Sequence, residues 1–237
     1  SQGRDAEASA IVRDFEAAAG RVSLSPAPVI DEHGTPTQRT RVRALWAPRL
    51  RARTAALWVL WFCVNFSYYG AFIWIPTILV SQGYDLVRSF GFTLIITLAQ
   101  LPGYAVAAWL IEAWGRRATL ATFLAGSAVA AVFFGTASGE VAIIAAGMAL
   151  SFFNLGAWGA LYAATPETYP TPLRATGSGW AAGVGRIASI IAPLSVPPLL
   201  GWGGAPLLFV VFAAFFAVAV VAALTLREQR GRALDED

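Results

Sequence analysis

Six long apolar runs separated by short polar connections fill most of the chain after residue 54. They cover residues 55–80, 90–111, 118–137, 141–164, 177–196 and 205–226. Each is long enough, as a helix, to cross a hydrocarbon core of about 30 Å. None shows the strict apolar–polar alternation of barrel strands, so each predicts a helix. The expected fold class is all-α, a polytopic membrane protein of six transmembrane helices. An even number of spans returns both ends of that domain to one side.

The 54 residues before the first run differ in character. Ala8, Ile11, Val12, Phe15 and Ala19 fall at helical spacing with Arg13, Asp14 and Glu16 between them, which predicts a short amphipathic helix. From about residue 22 to 38 the chain is rich in Pro, Ser and Thr and is expected to be a flexible linker. His33 lies there beside Asp31 and Glu32 and is read as solvated. Arg39, Arg41, Arg43, Arg49, Arg51 and Arg53 then form a basic run suited to anionic lipid beside a membrane. Nucleic-acid binding would need interleaved stacking residues, and only Trp46 is available. The division expected is residues 1–54 as a cytoplasmic loop, 55–226 as the membrane domain and 227–237 as a cytoplasmic tail.

Composition excludes several classes. With 57% of residues apolar and 13% charged, a soluble domain would lack polar cover, so the membrane reading is reinforced. Cys63 is the only cysteine, which rules out a disulfide within the chain and a cysteine-rich metal site. No catalytic triad can be built on a single linker histidine, and no ATP-binding fingerprint is present. The expectation is therefore no enzyme, no cofactor, no metal and no nucleic-acid partner. The first residue is Ser1 rather than Met, from which we expect a piece of a longer protein.

Charge orients the spans. One set of connections carries the arginine run, Arg116, Arg117, Arg174, Arg227, Arg230 and Arg232. The other carries only Arg88, with Asp85 and Glu140. The positive-inside rule makes the first set, and both termini, cytoplasmic. Polar stripes then sort the helices. Asn65, Tyr68, Tyr69 and Phe72 share a face of the first span; Thr93, Thr97, Gln100 and Tyr104 share one of the second. Asn154, Trp158 and Tyr162 repeat on the fourth, and Gly179, Gly183, Arg186 and Ser189 on the fifth. Such stripes should face protein or a water-filled path. The third and sixth spans are almost wholly apolar and are expected to be outer, lipid-facing helices. Gly179 and Gly183 predict a small-residue face for tight helix packing, and Pro193, Pro197 and Pro198 predict a kink. Arg186, about ten residues into its span with no carboxylate near it in sequence, needs a partner, because an unpaired arginine there costs several kcal/mol. It suits a ligand carboxylate held through two parallel hydrogen bonds. The alternatives are a protein carboxylate beyond these residues, or helix-end carbonyls.

Two stretches carry a family resemblance. Residues 165–193 include P-E-T-Y-P-T-x-x-R-A-T-G-x-G-W-x-x-G-x-G-R-I, which resembles the helix 10 to helix 11 junction of the major facilitator superfamily. The closest branch in pattern is the metabolite:proton symporters, with carriers of niacin and aromatic acids and synaptic-vesicle-glycoprotein-like proteins. Residues 108–118, A-W-L-I-E-A-W-G-R-R-A, resemble the superfamily loop G-x-L-x-D-x-x-G-R-R between helices 8 and 9, with Ala108 in place of glycine and Glu112 in place of aspartate. The N-terminal GRDAEASAIVRDFEAAAGR is similar to the loop after helix 6. The resemblance implies helices 7–12 of a transporter, two inverted three-helix repeats, with a six-helix N-terminal half as partner. It implies a cytoplasmic gate of Glu112, Gly115, Arg116, Arg117, Glu167 and Arg174. It implies alternating-access transport of a small organic acid, with protons as coupling ion, across the plasma membrane. The expected substrate contacts are Arg186, Asn65, Tyr68, Tyr69, Gln100, Asn154, Trp158 and Tyr162. No acidic residue lies within a span, so proton coupling is expected to reside in the other half. A sugar, polyol or drug transporter of the same superfamily, and a non-transporting scaffold or half-size partner subunit, are the competing readings.

Overall fold

The computed structural model describes residues 38–228; the amphipathic helix and linker expected over residues 5–38, and the end of the tail, lie outside that range, apart from Gln38. Seven α-helices and one short 3-10 turn make up the described chain. They are α1 (Gln38–Leu45), α2 (Arg51–Ser81), α3 (Leu86–Leu98), α4 (Gln100–Trp114), α5 (Arg116–Thr136), α6 (Glu140–Glu167), the turn Thr171–Leu173, and α7 (Arg174–Thr225). No strand occurs among the described residues.

The six expected spans are all present, though the helices divide differently. The second span is α3 followed by α4, and together they run Leu86–Trp114. Pro102 accounts for the seam: it has no N–H to give Leu98, and its ring crowds that carbonyl. The span starts four residues earlier than its apolar run because Asp85 caps it, its carboxylate accepting from the Arg88 N–H at 3.0 Å. The fifth and sixth spans are the two arms of α7. They part at Gly203 (φ −155°, ψ 16°) and Gly204 (φ 64°, ψ −163°), the latter a conformation open to glycine and costly for other residues. The expected proline kink is thereby corrected. The chain leaves helical geometry at the glycine pair, whereas Pro193, Pro197 and Pro198 lie inside continuous helix. Neighbouring helices make such prolines tolerable in membrane spans.

Helix α2 is the hub. Its Gly70 lies against Phe212 and Ala192, one from each arm of α7. Ser67 donates to the Phe212 carbonyl at 3.2 Å, and Phe66 stacks on Phe215 with ring centroids 4.2 Å apart. Helix α5 packs on the second arm through Phe134 and Phe209 and on α6 through Phe123, Phe152 and Phe153. Helix α4 meets α6 backbone to backbone, since a Cβ on Gly103 would collide with the Phe152 carbonyl.

Burial within this chain distinguishes the faces of two spans. Within this chain the small-residue packing face of the first α7 arm is not the pair Gly179 and Gly183, where an added Cβ would meet nothing within 4 Å. It is Gly177, Ala181, Gly185, Ala188 and Ala192, all buried. Gly177 receives the Tyr169 ring, and Gly185 receives Asn65 and Trp61. The third span, expected to be an outer helix, has 56% of its most apolar stretch buried, against 33% for the second. Leu94, Ile95, Leu98, Leu101 and Trp109 on the second span are exposed. Apolar composition marks contact with any apolar surface, helix or lipid, and does not separate the two.

Candidate functional site

Two polar assemblies occur in the bundle. One gathers charges at one end. Arg116, the first residue of α5, donates through Nε to both carboxylate oxygens of Glu167 at 3.0 and 3.2 Å. Its Nη2 lies 3.3 Å from Glu112, four residues earlier near the end of α4. The Arg116 and Glu167 side chains are 21% and 22% exposed, while Glu112 is 75% exposed. The strength of the set therefore resides in the Arg116–Glu167 pair. Gly115, at φ 94°, turns α4 into α5 and opens the helix N-terminus. Glu228 closes it: its two oxygens accept from the Arg116 and Arg117 N–H groups, each at 3.1 Å. A carboxylate there meets both unsatisfied donors and the positive end of the helix dipole.

Arg174 stands apart from these acids and donates to the Pro166 carbonyl at 3.0 Å. Close by, Tyr169 is buried and donates to Thr54 Oγ1 at 3.3 Å, which in turn donates to the Leu45 carbonyl at 2.9 Å. Burial pushes the Tyr169 hydroxyl above the usual phenol range, with the Thr54 bond opposing, so it stays a donor at neutral pH. At the far end of the bundle, Arg88 binds Glu140 at 2.9 Å and Asp85 at 3.7 Å, all well exposed.

The second assembly lies among the spans, on α2, α4, α6 and α7. Arg186 is exposed and donates to the Tyr69 hydroxyl at 3.1 Å. It makes no ion pair within 4.0 Å among the described residues. Tyr69 meets Tyr68 edge to face at 5.2 Å, and Tyr68 meets Trp158 at 5.8 Å. Gln100 lies on α4 three residues before Gly103, where that helix meets α6. Trp158 stacks on Tyr162 at 5.5 Å, leaving Tyr162 54% exposed. Five of the expected contacts, Arg186, Tyr69, Tyr68, Trp158 and Tyr162, thus form one connected set, with Gln100 on the neighbouring α4 and Asn154 a turn away from Trp158 on α6. Asn65 is placed differently. It is buried beneath Gly185, and its amide donates to the Trp61 carbonyl at 2.7 Å.

Trp61 was missed in the sequence. It is edge-on to Trp158 at 5.7 Å and to Tyr162 at 5.0 Å, and its Nε1 donates to Thr165 at 3.0 Å. Its position four residues before Asn65, on the same face, was the available signal. Ser151, three residues before Asn154, was missed for the same reason. Glu228 had no signal, since it follows the last span and pairs across 112 residues.

Nearly the whole chain, residues 1–236, matches the family model described as sugar (and other) transporter. It is 44% identical over 241 residues to a niacin transporter, NiaP, of Acinetobacter baylyi, covering 99% of this chain and 54% of that protein. It is 30% identical over 232 residues to a gallate transporter of Pseudomonas putida, covering 97% of this chain and 51% of that one. The chain spans about half the length of these relatives. Its fold superposes on 49% of FucP, a major facilitator superfamily transporter crystallised in the outward conformation, with TM-score 0.62, 18% identity and 85% of this chain covered. With matching motifs, six spans and that fold, the chain belongs to the sugar (and other) transporter family of the major facilitator superfamily and is a multi-pass membrane protein.

Proposed function

We propose that this chain supplies the C-terminal six helices of a secondary carrier for a small aromatic carboxylate, working by alternating access against a second six-helix half. The observation that carries the reading is Arg186, held by Tyr69 on an exposed face beside an aromatic wall. A guanidinium in that position recognises a carboxylate by two parallel hydrogen bonds, and the ring faces of Tyr68, Trp158 and Tyr162 suit a flat ligand body. Relatives named for niacin and gallate, both aromatic acids, support the same class. Asn65 belongs to the floor of this site, shaping it through Trp61, and Gln100 and Asn154 orient the ligand.

In this reading residues 55–226 form the membrane domain, residues 1–54 and 227–237 are cytoplasmic, and the carrier resides in the plasma membrane. Glu112, Gly115, Arg116, Arg117, Glu167 and Arg174 act as the cytoplasmic gate. Uptake is coupled to protons, with the titrating group outside this half, because Glu112, Glu140 and Glu167 all lie at helix ends. The faces of α3, α4 and α7 left exposed, with Arg186 among them, support a second half as the surface opposite.

Uptake of labelled aromatic acids into proteoliposomes of the native transporter tests this. We expect saturable uptake of monocarboxylates, accelerated by an inward proton gradient, with sugars and polyols neither carried nor competing. Carriage of sugars in preference to acids would overturn the substrate class. Glu112→Gln or Glu167→Gln that retained transport but lost proton dependence would overturn the placement of coupling.

A further inference from the structure

The aromatic wall ends in a set of polar groups that the protein leaves unmet. Asn154 is 0% exposed, and neither its Nδ2 nor its Oδ1 has a hydrogen-bond partner. Ser151 is equally buried, and its Oγ is also unpartnered. Trp158 Nε1 and Gln100 Nε2 are in the same condition. Ser151, Asn154 and Trp158 lie three and four residues apart, on one face of α6. Gln100 lies on α4 three residues before Gly103, where that helix meets α6 at Phe152, and the Tyr68 ring lies against Trp158. The same Tyr68 leads through Tyr69 to Arg186. Arg186 and the unmet neutral groups of α6 are thus linked through Tyr69, Tyr68 and Trp158.

Buried amides and indoles are ordinarily satisfied, and leaving one unmet is costly where an apolar side chain of similar shape is not. Thr93, Thr97 and Ser127 follow that rule and return to carbonyls of their own helices. Thr119 Oγ1, Ser178 Oγ and the Trp58 and Trp74 Nε1 groups are single unmet atoms elsewhere, whereas on α6 three such residues share one face and Asn154 leaves both its amide atoms unmet. The unmet groups are rich in donors, namely Trp158 Nε1, Gln100 Nε2 and Asn154 Nδ2, with the Asn154 oxygen as the fixed acceptor. None of the four residues carries a charge. A cation finds no carboxylate there, and no metal-holding group of His, Cys, Asp and Glu exists among the described residues. A second anion would be buried without a countercharge.

We propose that Ser151, Asn154, Trp158 and Gln100 form a neutral subsite for an uncharged hydrogen-bond acceptor on the ligand's ring, so that the carrier selects aromatic monocarboxylates bearing such an acceptor. Plain benzoate leaves the donors unmet, and a dicarboxylate brings an uncompensated charge. The assignment rests on the reading that Arg186 takes the carboxylate. It adds Ser151 to the site and gives Asn154 the discriminating role.

Competition binding to the native transporter in lipid nanodiscs, with four probes, tests it. Pyridine-3-carboxylate and 3-hydroxybenzoate should bind about tenfold more tightly than benzoate, the effect of one buried hydrogen bond. Benzene-1,3-dicarboxylate should bind no better than benzoate. Asn154→Leu should bring the three monocarboxylates to within about twofold of one another, the acceptor-bearing acids losing the most. Ser151→Ala, a smaller change, should narrow the same preference in part. Arg186→Lys should weaken all three monocarboxylates by a similar factor and leave their ranking intact. Equal affinities for benzoate and the acceptor-bearing acids in the wild type would show that the subsite holds water alone and overturn the proposal. A uniform loss across all probes in Asn154→Leu and Ser151→Ala would assign the residues to packing and overturn it equally. If no monocarboxylate binds to the wild type, the carboxylate reading of Arg186 falls first and the subsite with it.

Discussion

The charged end of the bundle and its aromatic middle are both polar, yet they treat hydrogen bonds in opposite ways. At the end, Arg116 binds Glu167 and Glu112, and Glu228 caps the N-terminus of α5. That network is closed by this chain alone. In the middle, Arg186 reaches only a tyrosine hydroxyl among the described residues, and Asn154, Ser151, Trp158 and Gln100 each retain an unmet atom. A closed network holds helices together, whereas an open one has capacity left for something that arrives. Stability should therefore depend on the first region and ligand selection on the second, and substitutions can separate the two.

The largest effect on stability is expected from Arg116→Ala. It strands the partly buried Glu167 carboxylate and should cost about 3 kcal/mol, seen as a lower melting temperature in detergent, with ligand ranking unchanged. Glu228→Ala removes the cap of α5 and should cost about 1–2 kcal/mol on the same measurement, with faster amide exchange in the first turn after Gly115. A similar loss of stability from Asn154→Leu would erase the contrast between the regions. Its expected effect is close to zero, or a small stabilisation, because an unmet buried amide is replaced by an apolar group of similar size. Smallest is Arg88→Gln at the opposite end, expected to cost under about 1 kcal/mol and less in high salt, since the Arg88–Glu140 pair is exposed.

The parts legible in the sequence were those set by local pattern. Apolar run length located all six spans, and the lone arginine at depth pointed to the middle of the bundle before any contact was known. What escaped depended on partners distant in sequence. Glu228 looks like an ordinary tail residue until α5 is folded against it. The first arm of α7 carries two interleaved rows of small residues, and spacing cannot say which row meets a neighbour. The row of Gly177, Ala181 and Gly185 packs, while Gly179 and Gly183 share the open side with Arg186. The break in α7 was misplaced because proline is the usual helix breaker in water. In a packed membrane bundle the prolines are accommodated, and the glycine pair supplies the turn.

The claim on which the functional account depends is that Arg186 receives a carboxylate, and one comparison addresses it directly. Binding of an aromatic acid and of its primary amide should be measured on the wild type and on Arg186→Lys, with melting temperature as a check on folding. A lysine keeps the charge but cannot form the paired, planar contact. The account predicts that Arg186→Lys weakens the acid by about tenfold or more while the amide changes by less than about threefold, in a protein that melts as the wild type does. An equal loss for acid and amide would contradict it and leave Arg186 as part of the scaffold.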